Sequence, residues 1–336
     1  MGQQHGFEKD GMDRRGFLRA AAAAGVPLAA LLHGGASAGQ APPLAPGHED
    51  APLPGLILRE KMPENLEFPF SSLNTYLTPA DRFYIRSHFA VPTLDAGAWR
   101  LKVEGAVRDP LELSYEDLRK MPTRTVTATL ECAGNGRVFL SPAVKGAQWA
   151  LGGVSNAEWI GVPLSAILKR AGLNSGAVEV VLEGADSGEI KDPPKPSGPI
   201  HFARSIPLSR ASLPEVLLAY KMNGEDLSPS HGFPLRAVVP GWYGVASVKW
   251  LTRLIVTQTP FNGYFQSVDY ADWIRLNGIP TRVPLTEMQI KSQIARPDIH
   301  ELLAAGSTKR TKSGISEHAL SKNQQANATR ARSIAR

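Results

Sequence analysis

One stretch concentrates the chemistry of the chain. "TLECAGNGR" (residues 129–137) holds Cys132, the one cysteine among 336 residues, with Arg137 five positions on. A lone thiol has no partner for an intramolecular disulfide, so it is an inert small hydrophobe, a nucleophile or a ligand. The Gly- and Asn-rich turn lets backbone approach the sulfur closely, and the charge of Arg137 favours the thiolate. A thiolate is a soft donor, suited to a soft metal or a redox cofactor. Nucleophilic hydrolysis is the rival use, but no local Cys/His pattern supports it.

Two further stretches set cations in apolar company. "FYIRSHFAVP" carries Arg86 and His88, which share one face of a strand by the period-two rule. "HGFPLRAVVPGWYGVASVKW" brings His231, Arg236 and Lys249 close together in the chain. Charges embedded among glycines and apolar residues point to a buried anion such as a phosphate, because unpaired buried charge is costly.

The elements that must carry these residues are mostly strands. Glycine (31) and proline (27) are frequent enough to favour turns and short strands over long helices. "WRLKVEGAV" (99–107) alternates apolar and polar residues, and "RTVTATLEC" (124–132) is a Thr/Val-rich run that ends at the cysteine. "AVEVVLEGA", "IHFARSIPL", "FPLRAVV" and "SVKWLTRLIVTQ" add further strands, and Asn223-Gly224 predicts a hairpin. Two short helices are expected: "SYEDLRKM", with Ser114 as N-cap, and "VPLSAILKRAG" (162–172), stopped by Gly172. The pattern is that of an α+β fold with several mixed sheets and short helices.

The termini differ from this body. Arg14 and Arg15, then Phe17-Leu18, an Ala-rich stretch to Leu32 and Ala36-Ser37-Ala38 have the layout of a twin-arginine signal, predicted over residues 1–38. The expected location is therefore the periplasm. Residues 39–70 are Pro-rich without periodicity and predict an extended arm. Residues 306–336 hold seven Lys/Arg and one Glu, which is the whole net charge of +6, and predict a disordered basic tail. With that charge outside the folded body and no aromatic residue after Trp273, nucleic-acid binding is not expected. No apolar run is long enough to span a bilayer, so no permanent membrane span is expected.

"TLECAGNGR" and "HGFPLRAVVPGWYGVASVKW", joined in order by "FYIRSHFAVP", "VKGAQW" and "SVDYADW", resemble the molybdenum-cofactor domain of the sulfite oxidase family. The resemblance covers roughly residues 70–290, with a catalytic domain over 71–283. It implies molybdenum–molybdopterin as the cofactor and oxygen-atom transfer to sulfite as the reaction. It implies that Cys132 is the protein's ligand to the metal, that His88 contacts the pterin, and that His231, Arg236 and Lys249 hold its tail. Arg86 and Arg137 would hold the oxyanion, Trp149 would wall the pocket and Tyr270 would stand near the metal. No C-x-x-C-H motif is present, so no haem is expected in this chain, and electrons would pass to an external acceptor such as a c-type cytochrome. Another oxyanion or S-oxide as substrate, as for a sulfoxide reductase, and a non-catalytic subunit of a sulfur-oxidising complex are the alternatives. Family members often continue into an immunoglobulin-like dimerisation domain. Here residues 284–305 resemble only its opening, so a truncated remnant is expected and dimerisation is in doubt.

Overall fold

A computed structural model describes residues 55–297 and the backbone of Lys312–Ser313. In chain order, β1 (Ile57–Glu60), β2 (Asn65–Glu67) and β3 (Ile85–Arg86) form a small antiparallel sheet. β4 (Arg100–Gly105) and β5 (Leu111–Ser114) lead into α1 (Tyr115–Arg119), and β6 (Arg124–Glu131) and β7 (Val154–Pro163) lead into α2 (Leu164–Ala171). β8 (Glu179–Gly188), β9 (Ile200–Pro207) and α3 (Leu208–Ala211) follow, then β10 (Leu217–Met222), β11 (Glu225–Asp226), β12 (Arg236–Val238) and β13 (Leu251–Thr257). The last described elements are α4 (Tyr264–Ser267), the hairpin β14 (Ala271–Leu276) and β15 (Ile279–Pro284), and the pair β16 (Ile294–Arg296) and β17 (Lys312–Ser313).

Two five-stranded sheets carry the body. One runs β5-β4-β13-β8-β9, with β4 and β13 parallel and its other pairs antiparallel. The other runs β11-β10-β7-β6, with β12 paired to β10. This second sheet separates two apolar cores and alternation divides its side chains between them, with an irregularity in β10 between Ala219 and Lys221 turning Met222 to the other side. On β10, Leu218 and Tyr220 enter the larger core while Leu217, Ala219 and Met222 enter the smaller; on β7, Val162 faces the first and Ala157 and Trp159 the second. Burial on both faces explains why β10 is an almost unbroken apolar run. Its neighbour Gly161 is a close-approach position: a Cβ there would lie 2.2 Å from the carbonyl oxygen of Leu218.

Local signals agree with these elements. Ser114 caps α1, and Asp117 returns a bond to the Ser114 amide. Asn223 (φ 51°) and Gly224 (φ 86°) occupy the left-handed region that a two-residue hairpin between β10 and β11 requires. The mixed α+β class read from the sequence is the observed one.

Two regions differ from expectation. Part of the predicted arm is folded: β1 and β2 pair, and Leu66 is fully buried against Ile85 and Leu56. Strands of three or four residues are too short to show a period, and β2 buries the polar Asn65 and Glu67, which hides it further. Within the predicted disordered tail, Lys312–Ser313 pairs with Ile294 and Arg296 of the predicted dimerisation-domain remnant. The predicted signal segment, residues 39–54 of the arm, residues 298–305 of the remnant and the other tail residues lie outside the described residues.

Glu67 joins the small sheet to the loop that leads into β7. Its carboxylate accepts from the amides of Ala150 and Gly152 (3.0 and 2.8 Å) and pairs with the buried side chain of Arg59. Glu67→Ala should lower the unfolding free energy by about 3–5 kcal/mol, the usual cost of stripping one partner from a buried ion pair. Urea denaturation checks this; a loss below about 1 kcal/mol, the size of an exposed pair, would contradict it.

Candidate functional site

The strands converge on a cavity that encloses about 640 Å³ of empty space, part of it open to solvent. Seven of the nine residues singled out in the sequence line it: Arg86, His88, Cys132, His231, Arg236, Lys249 and Tyr270. Arg137 and Trp149 do not. The guanidinium of Arg137 donates to the carbonyl of Ala147 (2.9 Å) and lies against Gly134 and Gly146, where a Cβ would meet it at 2.5 Å. Those two glycines clear a slot that keeps Arg137 against its own loop, near enough for its charge to favour the Cys132 thiolate. Trp149 is fully buried in the smaller core and packs edge-on to Tyr84 at 6.1 Å, one layer behind the cavity wall.

Each cavity residue is held by identifiable structure. Cys132 follows the last residue of β6; its amide donates to Gly153, and its sulfur accepts from the Gly134 amide at 3.4 Å. Arg86 ends β3, and the buried Asn65 on β2 aligns it by accepting from both the Arg86 guanidinium (3.2 Å) and the Ser87 amide (2.9 Å). The turn Pro229–His231 presents Ser230 and His231. Arg236 opens β12 and donates to the carbonyls of His231 (2.9 Å) and Ser247 (3.1 Å), with its guanidinium 4.9 Å from the centre of the Trp159 ring. The ammonium of Lys249 donates to Ser87 Oγ (3.0 Å) and to the Ser230 carbonyl (2.8 Å), and sits 4.1 Å above the Trp250 ring.

A hydrogen bond crosses the cavity. The Tyr270 hydroxyl lies 2.7 Å from His88 Nε2, in the field of the nearby Arg86 guanidinium. Burial, together with the charges of Arg86, Lys249 and Arg204, holds the His88 pKa well below the usual histidine range. The ring is then neutral, Nε2 accepts, and the proton on Nδ1 completes that tautomer. Burial lifts Tyr270 to about 12, with Arg86 pulling the other way, so its hydroxyl keeps its proton.

Positive charge dominates the lining. Burial lowers Arg236 to about 10, still protonated at neutral pH. Burial and the nearby Arg236 also lower Lys249. Burial works against the charge of Arg86 as well, but Tyr270 and Cys132 outweigh it. Against these stands Asp186, whose pKa burial raises and Lys249 lowers; its Oδ1 is buried and without a hydrogen-bond partner. Burial raises the Cys132 thiol, while Arg86, the Gly134 amide and Arg137 favour the thiolate. His231 donates Nε2–H to Ala80 (3.1 Å) and is neutral, pushed down to about 3 by burial and by Arg236 and Lys249.

The sequence reading missed Asp186, Tyr84, Ser87 and Ser230 on this wall. Ser87 lay in view, between Arg86 and His88 in a motif already singled out. Asp186 carried little signal, because one polar residue late in an alternating strand reads as solvent-facing.

Comparison with known proteins follows the same outline. Residues 88–265 match the family model for the oxidoreductase molybdopterin binding domain, rather more than half of the chain. The chain is 39% identical over 275 residues to mitochondrial sulfite oxidase of Mus musculus, an alignment covering 77% of this chain and 49% of that protein. It is 36% identical over 272 residues to sulfite oxidase of Arabidopsis thaliana, covering 75% of this chain and 67% of that one. Among solved structures, the sulfane dehydrogenase SoxCD of Paracoccus pantotrophus aligns with a TM-score of 0.60 at 31% identity, over 71% of this chain and 58% of that chain. The chain spans about half the length of the mammalian relatives it matches.

The buried histidines make stability depend on pH. His231 has a native pKa of about 3, against about 6.5 when unfolded. Its contribution is complete above about pH 6.5 and is lost as pH falls toward 3, at about 1.4 kcal/mol per pH unit, because only the unfolded chain takes up the proton. Comparing ligand-free wild type with His231→Asn isolates this from Asp186, whose raised pKa acts in the opposite direction. The acid-side slope of unfolding free energy should differ by about 1.4 kcal/mol per unit, and parallel curves would contradict the assignment.

Proposed function

The chain belongs to the sulfite oxidase family of molybdopterin-binding oxidoreductases, and from that premise we propose that it oxidises sulfite to sulfate in the periplasm, passing electrons to an external acceptor such as a cytochrome c. The location rests on the twin-arginine pattern around Arg14 and Arg15, and the acceptor on the missing haem-attachment motif. The observation that carries the substrate reading is Arg86: one end is aligned by Asn65, and the guanidinium lines the same cavity as Cys132 and Tyr270. Fixed guanidinium groups suit a small oxyanion better than a neutral S-oxide.

The residues fit the family's cofactor. Among the described residues no three His, Cys, Asp or Glu side chains cluster as a metal site, so a metal beside Cys132 must bring most of its own ligands. A molybdopterin does so through its sulfurs. Its polar, anionic tail matches the cations Arg236 and Lys249, and the unpartnered Asp186 Oδ1 offers a buried acceptor for a ring N–H.

Cys132 would then hold the metal, His88 the pterin, and His231, Arg236 and Lys249 the tail. When bound, the cofactor supplies an oxygen atom and accepts two electrons. Sulfite overall gains one oxygen, derived from water, and releases two electrons and two protons with that water. The protein's share is electrostatic and positional. Arg86 draws in and orients the dianion, which loses hydration as it enters and needs fixed charge in exchange. Tyr270 keeps its proton at Oη, aligned by Arg86 and His88, as a neutral hydrogen-bonding group beside the substrate. Arg137 adds positive charge near Cys132, and Trp149 backs the wall at Tyr84.

A second reading, oxidation of a different reduced-sulfur group, draws on the likeness to a sulfane dehydrogenase. One assay separates the two. Protein expressed with its leader should carry close to one molybdenum per chain and reduce ferricyanide in a sulfite-dependent manner. Turnover of a sulfane or S-oxide substrate but not sulfite would favour the second reading, and molybdenum-free protein would defeat both. Cys132→Ser should cut turnover by more than about a hundredfold, beyond the range for losing a mere outer partner of a metal ligand. Arg86→Gln should lower kcat/KM for sulfite on the order of a hundred- to a thousandfold. Unchanged kinetics in either variant would reject that residue's role.

A further inference from the structure

Arg204 stands out because it is a guanidinium with no exposed surface, sited on β9 outside the cavity lining. Among the described residues no carboxylate forms an ion pair with it. Its partners are three backbone carbonyls: Nη1 donates to Phe265 (2.6 Å) and more weakly to Tyr270 (3.5 Å), and Nη2 donates to Leu285 (2.6 Å). Among the described residues its Nε has no hydrogen-bond partner, and it is buried. A buried cation without a direct ion pair, favoured by the more distant charge of Asp269, is an expensive way to join three carbonyls if joining them were all that mattered to stability.

Those carbonyls share a location. Phe265 lies on α4, just before the β14–β15 hairpin, and Tyr270 and Leu285 flank the hairpin's two ends. The Leu285 amide also donates to the Tyr270 carbonyl at 2.9 Å, which closes the base. The hairpin itself contributes almost nothing to the core. Residues 271–284 are exposed or half-buried throughout, with Trp273 and Ile279 more than two-thirds solvent-accessible. The segment bearing Tyr270 is therefore located by its base. Gln266, accepting from the Ser205 amide (3.3 Å), and Arg282, donating to the Val268 carbonyl, assist there.

We infer that Arg204 is a positioning residue for the reaction: by gripping the carbonyls of Phe265, Tyr270 and Leu285 it fixes the Tyr270 hydroxyl against His88 Nε2. The inference rests on the reading of Tyr270 as a group beside the substrate. The Tyr270 hydroxyl sits at the far end of a long side chain, so a small pivot of its backbone moves it out of hydrogen-bond reach of His88 Nε2. Lysine keeps the charge but lacks the planar fork that spans three acceptors at once.

The test is a double-mutant cycle on molybdenum-loaded protein. Arg204→Lys should lower kcat/KM for sulfite on the order of ten- to a hundredfold, the scale of a misplaced reacting group. In the Tyr270→Phe background the same Arg204→Lys change should cost almost nothing further, because the hydroxyl it positions is gone. Hydrogen exchange supplies a readout independent of turnover: in Arg204→Lys the amides of residues 268–285 should lose protection while those of β8 and β13 keep theirs. Multiplicative effects in the double variant, unchanged kinetics and exchange in Arg204→Lys, or global unfolding of that variant would each overturn the inference. If Tyr270→Phe alone leaves sulfite turnover unaltered, the reading of Tyr270 fails, a result distinct from a missing coupling to Arg204.

Discussion

Positive charge buried around one cavity, without matching carboxylates, is the constraint on which the rest of the structure depends. Arg86, Arg236 and Lys249 face the space, His88 and His231 stay neutral beside them, and Asp186 is the one carboxylate on the wall. Each cation is solvated by carbonyl or hydroxyl oxygens, which lowers its cost without cancelling its field. A cavity of that kind has a standing affinity for anions. The family's cofactor and the proposed substrate both meet that demand, one with a permanently anionic tail and the other with a dianion turned over in each cycle.

The fold serves this constraint by bringing distant segments to one place. β3 delivers Arg86, the end of β6 delivers Cys132, β12 delivers Arg236, and the segment leading into β13 delivers Lys249. The two-core arrangement keeps these ends rigid. The sheet that contains β6, β7, β10 and β12 is packed on both faces, so the position of Cys132 at the end of β6 is set by close packing rather than by a mobile loop. Glu67 and Asn65 extend that rigidity into the small sheet, one holding the loop before β7 and the other aligning Arg86. Two other residues of the proposed site are off the cavity lining: Arg137 acts through its charge on Cys132, and Trp149 packs behind Tyr84.

What was legible in the sequence follows from what local chemistry can express. Alternation in β4, the N-cap at Ser114 and the Asn223-Gly224 turn are local, and the structure contains them as read. Arg86, His88, Arg236 and Lys249 were visible because charge in an apolar stretch is anomalous wherever the chain folds. β1 and β2 were not visible, since three or four residues cannot show a period and their burial depends on Ile85 far along the chain. Arg204 and Asp186 were hidden for a related reason. Each is the polar member of a strand whose outer face would ordinarily meet water, and only tertiary structure shows those faces covered.

Whether the buried charge exists for a bound anion is tested most cleanly at Arg236, which forms no ion pair with a carboxylate among the described residues. The measurement is the difference in unfolding free energy between cofactor-loaded and cofactor-free protein, taken for wild type and for Arg236→Met, since a ligand stabilises by its affinity for the native state alone. The account predicts that the substitution shrinks this difference by more than about 1.5 kcal/mol, the lower range for a charge-assisted hydrogen bond, while costing the cofactor-free protein less. Equal destabilisation of the two forms would show that Arg236 supports the fold instead, and would contradict the account.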